Sequence, residues 1–144
     1  MKNCYIHIPF CSKICSYCDF CKMFYNKKFV SDYLEALDRE IYDVYRGEKL
    51  ETIYIGGGTP SSLDIFELKT LFSTLEMLDR SSSCEFTIEC NIENTDEEKI
   101  KLFRDMIYQY YDLSIVDYSD SSLESWFSVI NKQASKGNAV VQLA

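Results

Sequence analysis

Four of the seven cysteines in this 144-residue chain, Cys11, Cys15, Cys18 and Cys21, fall within eleven residues. The first three, in Cys11-Ser12-Lys13-Ile14-Cys15-Ser16-Tyr17-Cys18, have C-x3-C-x2-C spacing, which suits one compact loop folded around a cubane iron–sulfur cluster. Cysteine thiolates are the normal ligands of such clusters, and three of them leave one iron of a [4Fe–4S] unit without a protein ligand. An open iron can chelate the amino and carboxylate groups of a methionine moiety, and an electron passed through the cluster can then break an adjacent sulfonium C–S bond. The alternative is a structural zinc site in which His7 or Cys21 is the fourth ligand. Such sites usually draw on two separated ligand pairs, and no second pair occurs downstream.

Two further features can serve the same chemistry. Gly56-Gly57-Gly58-Thr59-Pro60 lets a ligand approach the backbone closely and offers carbonyls to a cationic amino group, although an ordinary tight turn reads the same way. It is neither a dinucleotide fingerprint nor a P-loop, because the Lys-Ser/Thr end is missing. Glu89 ends a run whose neighbours Phe86 and Ile88 read as buried; its carboxylate can accept hydrogen bonds from ribose hydroxyls, or simply be a strand-end charge. Tyr5 and Tyr17 flank the cysteine loop and can pack on a base or fill space. His7, the only histidine, reads as a satisfied core side chain rather than a ligand. Cys4, Cys84 and Cys90 stand alone and read as small buried apolar residues.

The elements that must position these groups alternate. Cys4–Phe10 reads as a strand ended near Pro9. Val30, Tyr33, Leu34, Leu37, Ile41, Val44 and Tyr45 recur at helical spacing over 29–45, with Gly47 closing the helix. Thr52–Ile55 is a second strand, and a helix from about Leu63 to Leu78 carries Leu63, Phe66, Leu71, Leu75 and Leu78 on or near its buried face. Glu85–Cys90 is a third strand, and Thr95-Asp96-Glu97-Glu98 reads as a capping box for a helix through Met106. A weaker strand at Asp112–Val116, a helical face of Leu123, Trp126, Phe127 and Ile130, and a last short helix near Ala139–Leu143 complete the pattern. Strands alternating with helices predict right-handed crossovers and a parallel sheet. In such sheets the site lies at the carboxyl ends of the strands, and the cysteine loop, the GGGTP turn and Glu89 all fall there.

At 47% hydrophobic and 26% charged residues the chain has the composition of one globular unit with a real core. A net charge of -8 argues against a nucleic-acid footprint, which needs clustered Lys and Arg. The N-terminus lacks a signal-peptide apolar region and no stretch approaches the roughly 20 apolar residues of a membrane span. The expected location is therefore cytoplasmic, where a dense cysteine cluster means a metal or redox site more often than disulfides.

Taken together, YIHIPFCSKICSYCDF, IYIGGGTPSSL and TIECN resemble the radical S-adenosylmethionine enzymes, in particular oxygen-independent coproporphyrinogen III oxidase and its haem-chaperone relative. The resemblance treats residues 1–144 as one domain, clear over 4–106 and divergent over 107–144. It implies an α/β fold, the N-terminal part of a partial (β/α) barrel with about four βα units. Cys11, Cys15 and Cys18 match the family's cluster ligands. Tyr5, Tyr17, Gly57, Gly58, Thr59 and Glu89 match positions that contact S-adenosylmethionine. It also implies a reductant such as flavodoxin or ferredoxin, and haem as a ligand in the chaperone branch, which Cys18-Asp19-Phe20 resembles more than the oxidase branch; Cys21 lies one position too far on for the oxidase pattern. Two family positions depart: Tyr118 stands where the family has a cofactor-contacting Gln, and Lys132 where it has Arg, whose bidentate fork Lys cannot reproduce. With the chain ending at Ala144, the expectation is a cofactor-binding half-site, completed by a second polypeptide or acting without turnover, rather than an independent catalyst.

Overall fold

The computed structural model describes residues 2–110 and 140–143. In chain order they form β1 (Asn3–Ile8), the short β2 (Phe10–Cys11) and β3 (Met23–Phe24), α1 (Lys27–Val44), β4 (Leu50–Gly57), α2 (Ile65–Leu75), β5 (Arg80–Glu89), α3 (Glu97–Tyr110) and β6 (Val140–Leu143). Single 3-10 turns at Pro60–Ser62 and Ile92–Asn94 follow β4 and β5. The main sheet runs β1-β4-β5-β6, with β1, β4 and β5 mutually parallel. β2 and β3 form a separate two-stranded ribbon. The α/β alternation expected from the sequence is thus the architecture observed.

Alternation along each strand sends successive side chains to opposite faces of the sheet. One face carries Ile6, Ile8, Ile53, Ile55, Phe86 and Ile88, and these join Val30, Leu34, Leu37 and Ile41 of α1 with Leu68, Leu71, Phe72 and Leu75 of α2 in one buried core. The other face carries, in register, Tyr5 opposite Tyr54 and Tyr54 opposite Thr87, then His7 opposite Gly56. Cys84 and Cys90 are buried as expected, while Cys4 is only half-buried.

Several local expectations change. Helix α1 ends at Val44, one residue before the expected end at Tyr45, because Tyr45 turns extended (ψ 134°) while its N–H still reaches the Ile41 carbonyl. The Tyr45 hydroxyl donates to the Glu48 carbonyl and accepts from the Asp79 N–H, both at 2.7 Å, so the residue knits two turns instead of continuing the helix. Helix α2 starts at Ile65, where Asp64 and Glu67 make a reciprocal capping box. This sets a buried stripe of Leu68, Leu71, Phe72 and Leu75, and leaves Phe66 73% exposed; Leu63 and Leu78 are buried from outside the helix. Before α3 the capping acceptor is Asp96, whose Oδ1 takes the Lys99 N–H at 2.9 Å; Thr95 donates instead to the Asn91 carbonyl.

The segment expected as a short helix near Ala139–Leu143 contains strand β6, antiparallel to β5 with Glu89 opposite Val140 and Phe86 opposite Leu143. Four residues gain too few intrahelical bonds to offset helix nucleation, whereas the free edge of β5 offers a row of unpaired backbone groups. The sheet is therefore mixed at this edge. The expected strand at 112–116, the helical face at 123–130, Tyr118 and Lys132 lie outside the described residues.

Candidate cofactor site

The carboxyl ends of β1, β4 and β5 bring three loops together. The glycine turn is packed so closely that side chains are excluded. A Cβ at Gly57, which has φ +121°, would lie 2.6 Å from the His7 ring, and one at Gly58 would lie 2.8 Å from the Phe10 carbonyl oxygen. The turn is fastened to the first loop by Gly58 N–H to the Ile8 carbonyl and Thr59 N–H to the Phe10 carbonyl, both 2.8 Å. It meets the third through Glu89, whose Oε2 accepts the Gly57 N–H at 3.2 Å and whose Oε1 accepts the Tyr54 hydroxyl at 2.5 Å. That hydrogen bond, with burial and the carboxylate's charge, pushes the Tyr54 phenol up to about 12. The Tyr5 ring stacks on Tyr54 with centroids 5.9 Å apart. Its hydroxyl lies 2.9 Å from His7 Nδ1, while His7 Nε2 is 2.8 Å from the Cys21 carbonyl. A carbonyl only accepts, so the neutral ring carries its proton on Nε2 and takes the Tyr5 proton at Nδ1. His7 is satisfied as expected, but it is half-buried on the open face of the sheet rather than in the core.

The cysteine loop, 12–22, is anchored at both ends. Met23 N–H reaches the Pro9 carbonyl (2.7 Å) and Tyr25 N–H the Cys11 carbonyl (2.9 Å), while Lys22 Nζ caps the Cys18 carbonyl. Farther out, Lys13 pairs with Glu93 at 2.8 Å and Ser12 donates to Asn94 at 3.2 Å, tying the loop to the turn after Glu89. Cys11 is buried with its Sγ 3.5 Å from the Thr59 hydroxyl; Cys18 is half-buried, and Cys15 and Cys21 are exposed. Tyr17, 85% exposed, has its phenol raised by a hydrogen bond to Cys15 and by that thiol's charge.

The donor set fits an iron–sulfur group in kind: three free, soft thiols on one short loop, with a hydroxyl directed at one sulfur. Among the described residues, no three Cys, His, Asp or Glu side chains converge closely enough to hold a single metal ion. Of the residues singled out in the sequence, the fold joins Gly57 with Glu89, Thr59 with Cys11, and Tyr17 with Cys15; Tyr5 stands beside Glu89 through Tyr54. It does not gather the three sulfurs around one point, and Tyr17 stands outside the Glu89 network.

Residues 5–138 match the family model described as the Radical SAM superfamily. The chain belongs to the radical SAM superfamily. It is 39% identical over 129 residues to the haem chaperone HemW of Bacillus subtilis (strain 168), which covers 86% of this chain and 34% of that protein. It is 37% identical over 102 residues to anaerobilin synthase of Escherichia coli O157:H7, covering 67% of this chain and 23% of that protein. Among solved structures it matches coproporphyrinogen III oxidase (HemN) from Escherichia coli, described as a radical SAM enzyme, with TM-score 0.66 and 26% identity over 73% of this chain and 26% of that one. The chain spans about a third of the length of the HemW proteins it matches.

Within this radical SAM unit several site residues were not singled out in the sequence, although most of them lie inside the quoted motif segments. Tyr54, which holds Glu89, was legible only as the position between buried Ile53 and Ile55, in register with Tyr5. Ser61, at the end of the glycine motif, and Asn91, at the end of TIECN, join loops distant in sequence, and Lys99 lies outside the motifs. A groove of about 850 Å³ between α1 and α2, lined by Leu34, Asp38, Phe66, Lys69 and Thr74 among others, includes none of the candidate residues. No helix among the described residues is long and apolar enough to cross a membrane.

Proposed function

We propose that this chain binds a [4Fe–4S] cluster through Cys11, Cys15 and Cys18 and S-adenosylmethionine through Tyr5, Tyr17, Gly57, Gly58, Thr59 and Glu89, as a haem-chaperone-like member of its superfamily serving haem or porphyrin metabolism. The observation that carries the reading is the hydrogen bond from Gly57 N–H to Glu89, made beside a turn whose Thr59 hydroxyl reaches Cys11 Sγ. Three elements separated in sequence thereby share one small volume. When bound, the cluster supplies the electron that breaks the sulfonium C–S bond of S-adenosylmethionine.

The chain's own residues do the rest. The three thiolates hold the cluster, and the Thr59 hydroxyl donates to a ligand sulfur, a contact of the kind that tunes a cluster's potential. Glu89 uses one lone pair on Tyr54 and one on Gly57, and its remaining acceptor capacity would serve the ribose hydroxyls. The glycine-turn carbonyls take the cofactor's ammonium, and the exposed Tyr5 ring offers a stacking surface for adenine. The similarity to a haem chaperone and to an oxygen-independent coproporphyrinogen III oxidase supports a tetrapyrrole ligand. A flavodoxin or ferredoxin would supply the electron.

Anaerobic reconstitution with iron and sulfide tests the reading. About four irons and four sulfides per chain are expected, with a reduced-state electron paramagnetic resonance signal that shifts on adding S-adenosylmethionine. Absence of a cluster, or a signal indifferent to S-adenosylmethionine, would overturn it.

A further inference from the structure

Lys99 lies in the first turn of α3 and has no part in the reading above, yet its ammonium Nζ donates to the Ser61 carbonyl and to the Asn94 carbonyl, each at 2.8 Å. One side chain thus bridges the 3-10 turn that follows the glycines and the turn that follows Glu89. Burial lowers its pKa, against the nearby charges of Asp96, Asp64, Cys90 and Glu67. An ammonium leaves water only where its N–H groups find acceptors, and here two backbone carbonyls supply them. A second tie joins the same loops: Ser61, wholly buried, accepts the Asn91 N–H on its Oγ at 2.8 Å. Thr95 Oγ1 holds the Asn91 carbonyl at 2.7 Å, and Asp96 holds the Lys99 backbone. This knot sits two residues beyond Thr59 on one loop and two beyond Glu89 on the other.

Given the cofactor reading above, on which this step rests, we propose that Lys99 is a positioning residue that sets the spacing between Glu89 and the Gly57–Thr59 backbone by tying their loops together. Removing the ammonium leaves Ser61–Asn91 as the remaining tie between the two turns, and the Gly57–Glu89 bond with less support from the loops beyond it. Small displacements then matter, because one carboxylate must meet the cofactor while keeping its bond to Gly57. Methionine matches the reach of lysine without a donor; arginine keeps donors for both carbonyls.

The full chain is compared with Lys99→Met and Lys99→Arg. In the metal-free protein, hydrogen exchange at the Gly57 and Asn91 amides is expected to quicken about tenfold in Lys99→Met and to return to within about twofold of wild type in Lys99→Arg, with the β1 amides unchanged. In reconstituted protein, Lys99→Met keeps its iron and sulfide but binds S-adenosylmethionine about tenfold more weakly, with a smaller change in the resonance signal at equal concentration, and Lys99→Arg restores both. Unaltered exchange at Gly57 and Asn91 in Lys99→Met overturns the proposal, as does an affinity loss that only tracks lost iron. A wild-type chain that binds neither cluster nor S-adenosylmethionine removes the cofactor reading instead, and the exchange comparison still decides whether Lys99 holds the loops.

Discussion

The two faces of the β1-β4-β5 sheet use the same strands for opposite purposes. Toward the helices, Ile6, Ile55 and Ile88 line up in register and are buried with the apolar stripes of α1 and α2. Toward the other side, Tyr5, Tyr54 and Thr87 share a row, and Tyr5 remains 59% exposed. Purely parallel sheets usually have both faces covered and read as continuous apolar runs. Here alternate positions are polar or aromatic, which suits the cofactor face proposed above. Stability and ligand chemistry are therefore separable at single-residue resolution along one strand.

Truncation on the helix side gives the largest expected effect on folding. Ile88 is wholly buried, and Ile88→Ala is expected to cost about 3 kcal/mol through lost burial and the cavity left behind. Denaturant titration should show this as a lower midpoint, with S-adenosylmethionine affinity retained in the fraction that stays folded. A cost below about 1 kcal/mol would mean that the helix-facing row is not the core. Gly57→Ala touches both functions: its positive φ and the 2.6 Å approach of the His7 ring leave no room for a methyl group. A loss of about 2 kcal/mol is expected, together with weaker cofactor binding, since His7 must move and with it Tyr5 and the Cys21 carbonyl. Wild-type stability and affinity in this variant would show that the turn adapts freely.

The helix side was largely legible in advance because its signal is local. The alternation in Thr52-Ile53-Tyr54-Ile55 and in Glu85-Phe86-Thr87-Ile88 marks the buried residues without reference to the rest of the chain. The cysteine spacing is equally local. Phe66 falls outside the buried stripe because the phase of a helical stripe depends on where the helix starts, and Asp64 starts it later than apolar spacing alone implies. β6 is not legible locally, because four residues acquire a conformation only from the edge they pair with. The open face was half legible. Glu89 and the glycines stand out by type, whereas Tyr54 becomes part of the site only through a carboxylate 35 residues away.

On that face, Tyr54→Phe removes one donor from Glu89 and leaves the ring in place to stack on Tyr5. An expected loss of about 1 kcal/mol is smaller than on the helix side, because water reaches part of the site and can replace the hydroxyl. The cofactor affinity of this variant should fall more than its stability, since Glu89 then keeps only its Gly57 contact. Equal losses in both would place Tyr54 with the core rather than with the site.

The smallest effect compares the two sides through a pair of tyrosines. Tyr54 on the open face is pushed up to about 12 by its hydrogen bond to Glu89, with burial adding to it. Tyr25, whose hydroxyl meets Glu67 of α2, is pushed up to about 12 by burial first and then by that hydrogen bond. In the unfolded chain both phenols titrate near 10. Between about pH 10 and pH 12 the native state therefore holds protons that the unfolded state has released. The stabilisation is fully present below about pH 10 and is lost as pH rises through the folded values. Glu89→Gln removes the carboxylate's charge from Tyr54 and leaves Tyr25 untouched. Tyrosinate absorbance should then show the Tyr54 phenol moving down toward 10, with Tyr5, raised by burial and then by the Glu89 charge, following it as that charge is lost, while Tyr25 stays high, and a shallower loss of stability across the same window. If Tyr54 and Tyr25 both still ionise late, Glu89 is not what holds the Tyr54 proton. If Tyr25 moves with Tyr54, the two faces are coupled more tightly than their separate hydrogen bonds imply.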